Sequence, residues 1–124
     1  MKLVKAEIIA IGDELLYGQI MDTNSHWISQ QLDLKGVKVV RKTTVGDNRD
    51  DILKAFSEAE KRADLVLITG GLGPTQDDLT KPLLAEYFNC PVIEVPDAVK
   101  AITEFFKRRG REMTPLNVLQ GHLP

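Results

Sequence analysis

Short apolar runs alternate along the chain with stretches in which apolar residues recur every three or four positions. The run Ala6-Glu7-Ile8-Ile9-Ala10-Ile11, ended by Gly12, predicts a central strand. Asp22 or Thr23 can cap a helix running to Lys35, with Gly36 in the position just past its end. Ile28 and Leu32 are one turn apart, and Trp27 and Leu34 two turns apart, which predicts one apolar face. Val37 to Val45 predicts a second strand, and its Lys38, Arg41 and Lys42 place it nearer an edge. Asp47 can cap the next helix, a role that stands level with a ligand role, with Asp50 in the place of a capping-box acid and Ile52, Phe56 and Ala59 on one face. Leu65 to Ile68 predicts a buried strand. The chain then breaks at Gly70-Gly71-Leu72-Gly73-Pro74 and resumes as a helix, with Thr80 as expected N-cap and Leu83, Leu84, Tyr87 and Phe88 as its stripe. A short strand from Val92 to Val95 follows. Pro96-Asp97 opens a helix with the stripe Val99, Ile102, Phe105 and Phe106, a basic end at Lys107-Arg108-Arg109 and a stop at Gly110. Thr114-Pro115 predicts a short helical piece to about Gln120. The order β-α-β-α-β-α-β-α predicts a parallel sheet with helices on both faces.

Composition narrows the class. A chain of 124 residues suits one domain, 1–124, with a real core. The net charge of −2 gives no basic surface for nucleic acid and no polybasic segment for a membrane. No apolar run approaches the roughly 18 residues of a membrane span, and no leader pattern opens the chain, so a cytoplasmic protein is expected. The single cysteine, Cys90, has no partner for an intramolecular disulfide and precedes Pro91, which suits a half-buried structural thiol. His26 has no second histidine or cysteine near it in sequence and is expected at the surface.

Candidate chemistry gathers where predicted strands end. In open α/β sheets ligands bind beyond the strand C-termini, and Gly12-Asp13-Glu14, Gly46-Asp47-Asn48 and the glycine loop all fall there. The glycine loop fits neither a Walker loop, lacking the Gly-Lys pair, nor a dinucleotide fingerprint, because Gln76 stands where the third glycine belongs. Strand, glycine loop and helix still suit a phosphate held by backbone N–H groups. Asp77 and Asp78 in the same loop would repel that phosphate unless a cation lay between them, which suggests a metal-assisted phosphate site. A plain turn, with glycine supplying positive φ, is the alternative. Asp13, Asp47 and Asp78 are the candidate cation ligands. Gly12, Gly70, Gly71, Gly73, Thr75, Thr80 and Asn24 are the candidate ligand-binding positions. Asn24 doubles as a helix-start residue, and Glu14 ranks below Asp13.

Three stretches, Glu7 to Asn24, Thr43 to Asn48 and Leu67 to Thr80, together resemble the N-terminal domain of the competence/damage-inducible CinA family. That domain belongs to the wider molybdopterin-binding, MoaB/MogA-like superfamily. The resemblance covers nearly the whole chain. It implies a three-layer α/β/α fold with a mostly parallel sheet and a pocket built from the three loops. It implies that the Gly-Gly-x-Gly loop receives a phosphate or pterin phosphate, and it links the acids at Asp47 and Asp78 to adenylylation chemistry. For CinA-type domains it implies divalent-metal-dependent (Mg, Mn or Co) cleavage of ADP-ribose to AMP and ribose 5-phosphate, and homo-oligomers. The deamidase activity of the family belongs to a separate C-terminal domain, which is not expected here. Relatives continue past the position of Pro124 into an Asn-Pro-x-Gly-x-Ala-Pro-Gly segment, so a truncated domain is expected. Transfer of adenylate to molybdopterin, and a non-catalytic nucleotide- or pterin-binding module, are the other functions the same pocket would suit.

Overall fold

The computed structural model describes residues 3–73, 78–108 and 122–124, with the side chains of 102, 105–108 and 122 left aside. The chain forms two compact units, Met1–Gly71 and Leu72–Pro124. In the first unit β1 (Lys5–Ile11), β2 (Lys38–Val45) and β3 (Leu65–Thr69) make a parallel sheet in the order β2-β1-β3. A short α1 (Asp13–Leu16) and α2 (Thr23–Leu34) connect β1 to β2, and α3 (Arg49–Arg62) connects β2 to β3.

The strand composition explains the order. From Ala6 to Ile11 every residue of β1 is buried on both sides of the pleat, as suits the middle of a parallel sheet. Ile8, Ile9 and Ile11 are fully buried, and each contributes about 1.5–3 kcal/mol of transfer free energy. Strand β2 alternates between exposed and half-buried residues and, among the described residues, pairs only with β1, so its polar composition does mark an edge. One extra residue, Val40, shifts its register: Ala6 lies opposite Val39 but Glu7 opposite Arg41.

Glu7 is the polar break in the central strand and is completely buried. Its carboxylate accepts from Arg62 Nε at 2.9 Å, Arg62 Nη2 at 3.0 Å and Thr43 Oγ1 at 3.2 Å. A buried carboxylate is tolerated only when so satisfied. The three residues tie the end of α3 and the strand β2 to the middle of the sheet. The hydrogen bond to Glu7 is the largest cause holding the Arg62 guanidinium's pKa above its usual value; burial opposes it and the charge of Glu7 adds to it.

Helix α3 buries Ile52, Ala55, Phe56 and Ala59, the face its periodicity predicts. Its cap differs from expectation. Asn48, not Asp47, occupies the N-cap and accepts from the Asp51 N–H at 3.0 Å. Asp47 is committed elsewhere, as described below. Asp22 caps α2, accepting from the Ser25 N–H at 3.0 Å. The apolar face predicted for α2 is only half realised: Ile28 and Leu32 are half-buried, whereas Trp27 is 62% and Leu34 79% exposed. Those two residues lie on a different side of the helix from the pair that touches the unit.

The second unit contains α4 (Thr80–Tyr87), β4 (Ile93–Glu94), α5 (Pro96–Arg108) and β5 (His122–Leu123). Thr80 is not the cap of α4. Leu79 holds the cap position without a side-chain bond, and Thr80 is a fully buried first helical residue. The helix closes at Asn89, whose φ of 52° lets Cys90 N–H reach the Ala85 carbonyl at 2.9 Å. Cys90 is a half-buried free thiol, as expected. The strand predicted at Val92 to Val95 shrinks to two residues and pairs antiparallel with β5, rather than extending a parallel sheet. The helical piece expected from Thr114 to Gln120 lies outside the described residues, as do Arg109 and Gly110. No described helix is long and apolar enough to cross a membrane.

Candidate functional site

The first two strands of the parallel sheet end in the same way. Ile11-Gly12-Asp13 and Val45-Gly46-Asp47 are both a β-branched residue, glycine and aspartate, and Ile11 and Val45 lie opposite each other in the ladder. The Gly12 N–H extends that ladder by one bond to the Val45 carbonyl at 2.9 Å. Beyond it the two loops exchange partners. The Asp47 N–H donates to Asp13 Oδ1 at 2.8 Å, and the Asp13 N–H donates to Asp47 Oδ2 at 3.3 Å. Each aspartate is thus fixed by the backbone of the other, with one carboxylate oxygen used and one left over.

Gly46 makes room for this exchange. A Cβ there would lie 2.6 Å from Asp13 Oδ1 and 3.1 Å from Leu16 Cδ2. The same device recurs in the second unit, where a Cβ on Gly73 would lie 2.5 Å from Asp78 Oδ2. At both positions a carboxylate passes over the glycine, so an added Cβ would force that side chain to shift. Gly70 is required outright: its φ is 88°, and a Cβ would collide with the Ile11 carbonyl oxygen. Gly71 also has positive φ, at 62°. The turn role foreseen for these glycines is real, and it brings the end of β3 against the end of β1.

Of the residues singled out from the sequence, the structure joins Asp13, Asp47, Gly12 and Gly70 at one edge of the sheet in the first unit. Asp78 and Gly73 meet within the second unit, and the buried Thr80 opens α4 there. Asn24 is exposed in the first turn of α2 and takes no part in the bonds of the acid pair. Thr75 and Asp77 lie outside the described residues. His26 is exposed, as expected.

Two features escaped the sequence. Helix α1 spans four residues, too short to show a periodicity. A cleft of 310 Å³ beside the acid pair is lined by Leu16, Val45, Gly46, Asp51, Lys54 and Glu58, among others. The duplicated strand–Gly–Asp ending was visible in the sequence and is the signal from which Gly46 could have been found.

Whether the acids suit a divalent cation is decided by their donor set. Among the described residues no three His, Cys, Asp or Glu side chains converge, so a closed cage of the structural zinc type is not formed there. Two carboxylates with one remaining oxygen each suit instead a hard cation of the Mg²⁺ type, which completes its shell with water and substrate phosphate.

A family profile described as "Probable molybdopterin binding domain" matches residues 7–123. The structure of CinA from Thermoplasma acidophilum, a protein described there as of unknown function, matches with a TM-score of 0.82 and 33% identity. That match covers 98% of this chain and 71% of the other. The chain belongs to the CinA family of molybdopterin-binding domains. The tungsten cofactor synthesizing protein MoaB of Pyrococcus furiosus shares the fold at a TM-score of 0.65 and 27% identity, over 89% of this chain and 67% of that one. The α/β architecture foreseen from the element order is therefore the MoaB/MogA-like one. A CinA-like protein of Kosmotoga olearia is 47% identical over 121 residues, 98% of this chain. One of Cytophaga hutchinsonii is as similar over the same share. The chain spans 29% of the length of each of these two relatives.

Proposed function

We propose that this CinA domain hydrolyses a nucleotide pyrophosphate of the ADP-ribose type to AMP and ribose 5-phosphate, assisted by a divalent cation, Mg²⁺, Mn²⁺ or Co²⁺. The observation that carries the proposal is the reciprocal bonding of Asp13 and Asp47 at the C-terminal edge of the sheet. Two carboxylates fixed this closely repel each other and any phosphate between them. A cation bound to their remaining oxygens would relieve both repulsions, and it would supply charge neutralisation on the phosphate and a more acidic water. The chain's own part is to fix the two acids against each other's backbone and to set the positive-φ turn at Gly70 and Gly71 at the end of β1 from which Asp13 follows. In the reaction, water oxygen bonds to one phosphorus while the bridging oxygen leaves with the other phosphate. The water's protons pass to solvent or to the products.

Asp47 is the more exposed of the pair and makes the longer bond, so its carboxylate is assigned to the cation and the water. Asp78 joins the proposal as a second acid whose removal should be tested with it.

Incubation of the chain with ADP-ribose and each of the three cations should yield AMP above a metal-free control. Asp47→Asn should lower the rate by about a hundredfold or more. No AMP with any cation would overturn the assignment. The likeness to MoaB favours a second reading, transfer of adenylate to molybdopterin on the same acids. Restored molybdoenzyme activity in a strain lacking the adenylyltransferase, without ADP-ribose cleavage in vitro, would favour it over hydrolysis.

A further inference from the structure

Helix α1 and the loop after it expose four large apolar side chains in six positions, Leu16, Tyr17, Ile20 and Met21, with Tyr17 69% exposed. The backbone beneath them is fixed. The Tyr17 N–H donates to the Asp13 carbonyl at 2.9 Å, and the Gln19 and Ile20 N–H groups donate to the Glu14 carbonyl at 2.9 and 3.2 Å. Gly18 takes the turn between them at a φ of 74°. Apolar side chains held out on a backbone this well bonded form a surface already ordered for a ligand, so binding costs little further ordering.

The spacing sets this surface beside the acid pair. Leu16 and Tyr17 follow Asp13 by three and four residues, so the three side chains share one side of the helical turn. Gly46 records the same arrangement: a Cβ there would meet Asp13 Oδ1 at 2.6 Å and Leu16 Cδ2 at 3.1 Å. One turn apart, the Cβ atoms of Asp13 and Tyr17 lie about 5–6 Å from each other. Side chains on a helix lean toward its N-terminal end, here toward the acids. In a nucleotide a single sugar ring stands between the base and the first phosphate. Phosphates at Asp13 and Asp47 therefore leave the base one sugar away, within reach of the Tyr17 ring. Trp27 is also exposed, but it lies on α2 and shares no turn with either acid.

We propose that Tyr17 is the platform on which the base of a purine nucleotide stacks while its phosphates lie at Asp13 and Asp47. The inference rests on the place proposed above for the phosphates, and it holds for hydrolysis and adenylate transfer alike. Stacking reads the face of a base and not its hydrogen-bonding edge, so guanine should serve nearly as well as adenine. Titration calorimetry with Mg²⁺ compares AMP with ribose 5-phosphate, which lacks the base. Tyr17→Ala should weaken AMP by about five- to a hundredfold and leave ribose 5-phosphate unchanged. Tyr17→Phe should keep the parent's affinity for both, as should Trp27→Ala. Because Trp27 is the chain's one tryptophan, Tyr17→Trp in a Trp27→Phe background gives an indole fluorescence signal from position 17 alone. AMP should change that signal and ribose 5-phosphate should not. AMP binding that depends on Tyr17 without cleavage of ADP-ribose would remove the hydrolysis and leave the platform standing. Cleavage with kcat/KM unchanged by Tyr17→Ala would do the reverse. The proposal also fails if the parent binds no AMP, if Tyr17→Ala weakens ribose 5-phosphate as much as AMP, or if it alters only the state of association. In the last case the exposed surface packs on protein.

Discussion

Asp13 and Asp47 share one structural condition, the bare backbone of Gly46. The added methyl of Gly46→Ala would intrude on Asp13 Oδ1 at 2.6 Å. That carboxylate must then move, which breaks the 2.8 Å bond from the Asp47 N–H. The expected cost is about 1–3 kcal/mol of stability, typical of overpacking, together with loss of cation-dependent turnover. Asp13→Asn keeps an acceptor for the Asp47 N–H and should leave the melting temperature nearly unchanged. Melting curves and AMP formation for the two variants check both halves: a Gly46→Ala protein as stable and as active as the parent would show that the two loops do not depend on each other. The aspartates themselves stood out in the sequence as residues after strand ends. Their exchange of amides did not, because it depends on β1 and β2 being neighbours in register, and no local pattern of residues encodes that.

At the scale of elements, the caps show where local rules lose to tertiary contacts. Asp47 and Asn48 are both good capping residues, and Asp47 with Asp50 has the spacing of a capping box. The competing bond to Asp13 removes Asp47 from the choice, and Asn48 caps α3 instead. Asn48→Ala should therefore cost about 1 kcal/mol, whereas Asp47→Ala should spare the helix; equilibrium unfolding of the pair distinguishes them. The buried ion pair makes a second prediction. Arg62→Met leaves the Glu7 carboxylate buried without its cation, so it should lower the melting temperature more than the double variant Glu7→Gln/Arg62→Met. A single variant as stable as the double would show the pair to be uncoupled. The Arg62 pKa is raised above its ordinary value, chiefly by the hydrogen bond to Glu7, so its contribution is complete below that ordinary value and is lost only as pH rises through the higher folded one. No loss of stability is expected from this arginine anywhere near neutrality. Glu7 was legible in the sequence only as an interruption of an apolar run; its partners lie 36 and 55 residues away along the chain, beyond the reach of any periodicity.

For the molecule as a whole, the parallel sheet was legible because its strands and helices alternate with clear changes of period, and the ending at β4 and β5 was not. Two-residue strands carry no alternation, and antiparallel pairing with His122–Leu123 is a long-range choice. The acid pair makes the molecule's response to ligand a test of its electrostatics. Under the proposed function ADP-ribose would carry negative charge to a place already holding two carboxylates, so without a divalent cation it should bind weakly and shift the melting temperature little. With Mg²⁺ or Mn²⁺ present, ligand at about 100 times its Kd should add about 2.7 kcal/mol, a shift of several degrees in a domain of this size. Asp47→Asn removes one of the repelling charges while keeping the backbone bond to an oxygen. It should bind ADP-ribose with less dependence on cation and yet turn over little or none. The measurement is a thermal-shift matrix of wild type and Asp47→Asn, with and without ligand and cation. If Asp47→Asn keeps the full cation dependence of the parent, Asp47 does not hold the cation. If neither protein responds to nucleotide or pterin under any condition, the edge formed by Asp13 and Asp47 is a structural latch between two loops, and the hydrolase, adenylate-transfer and ligand-binding readings all fall.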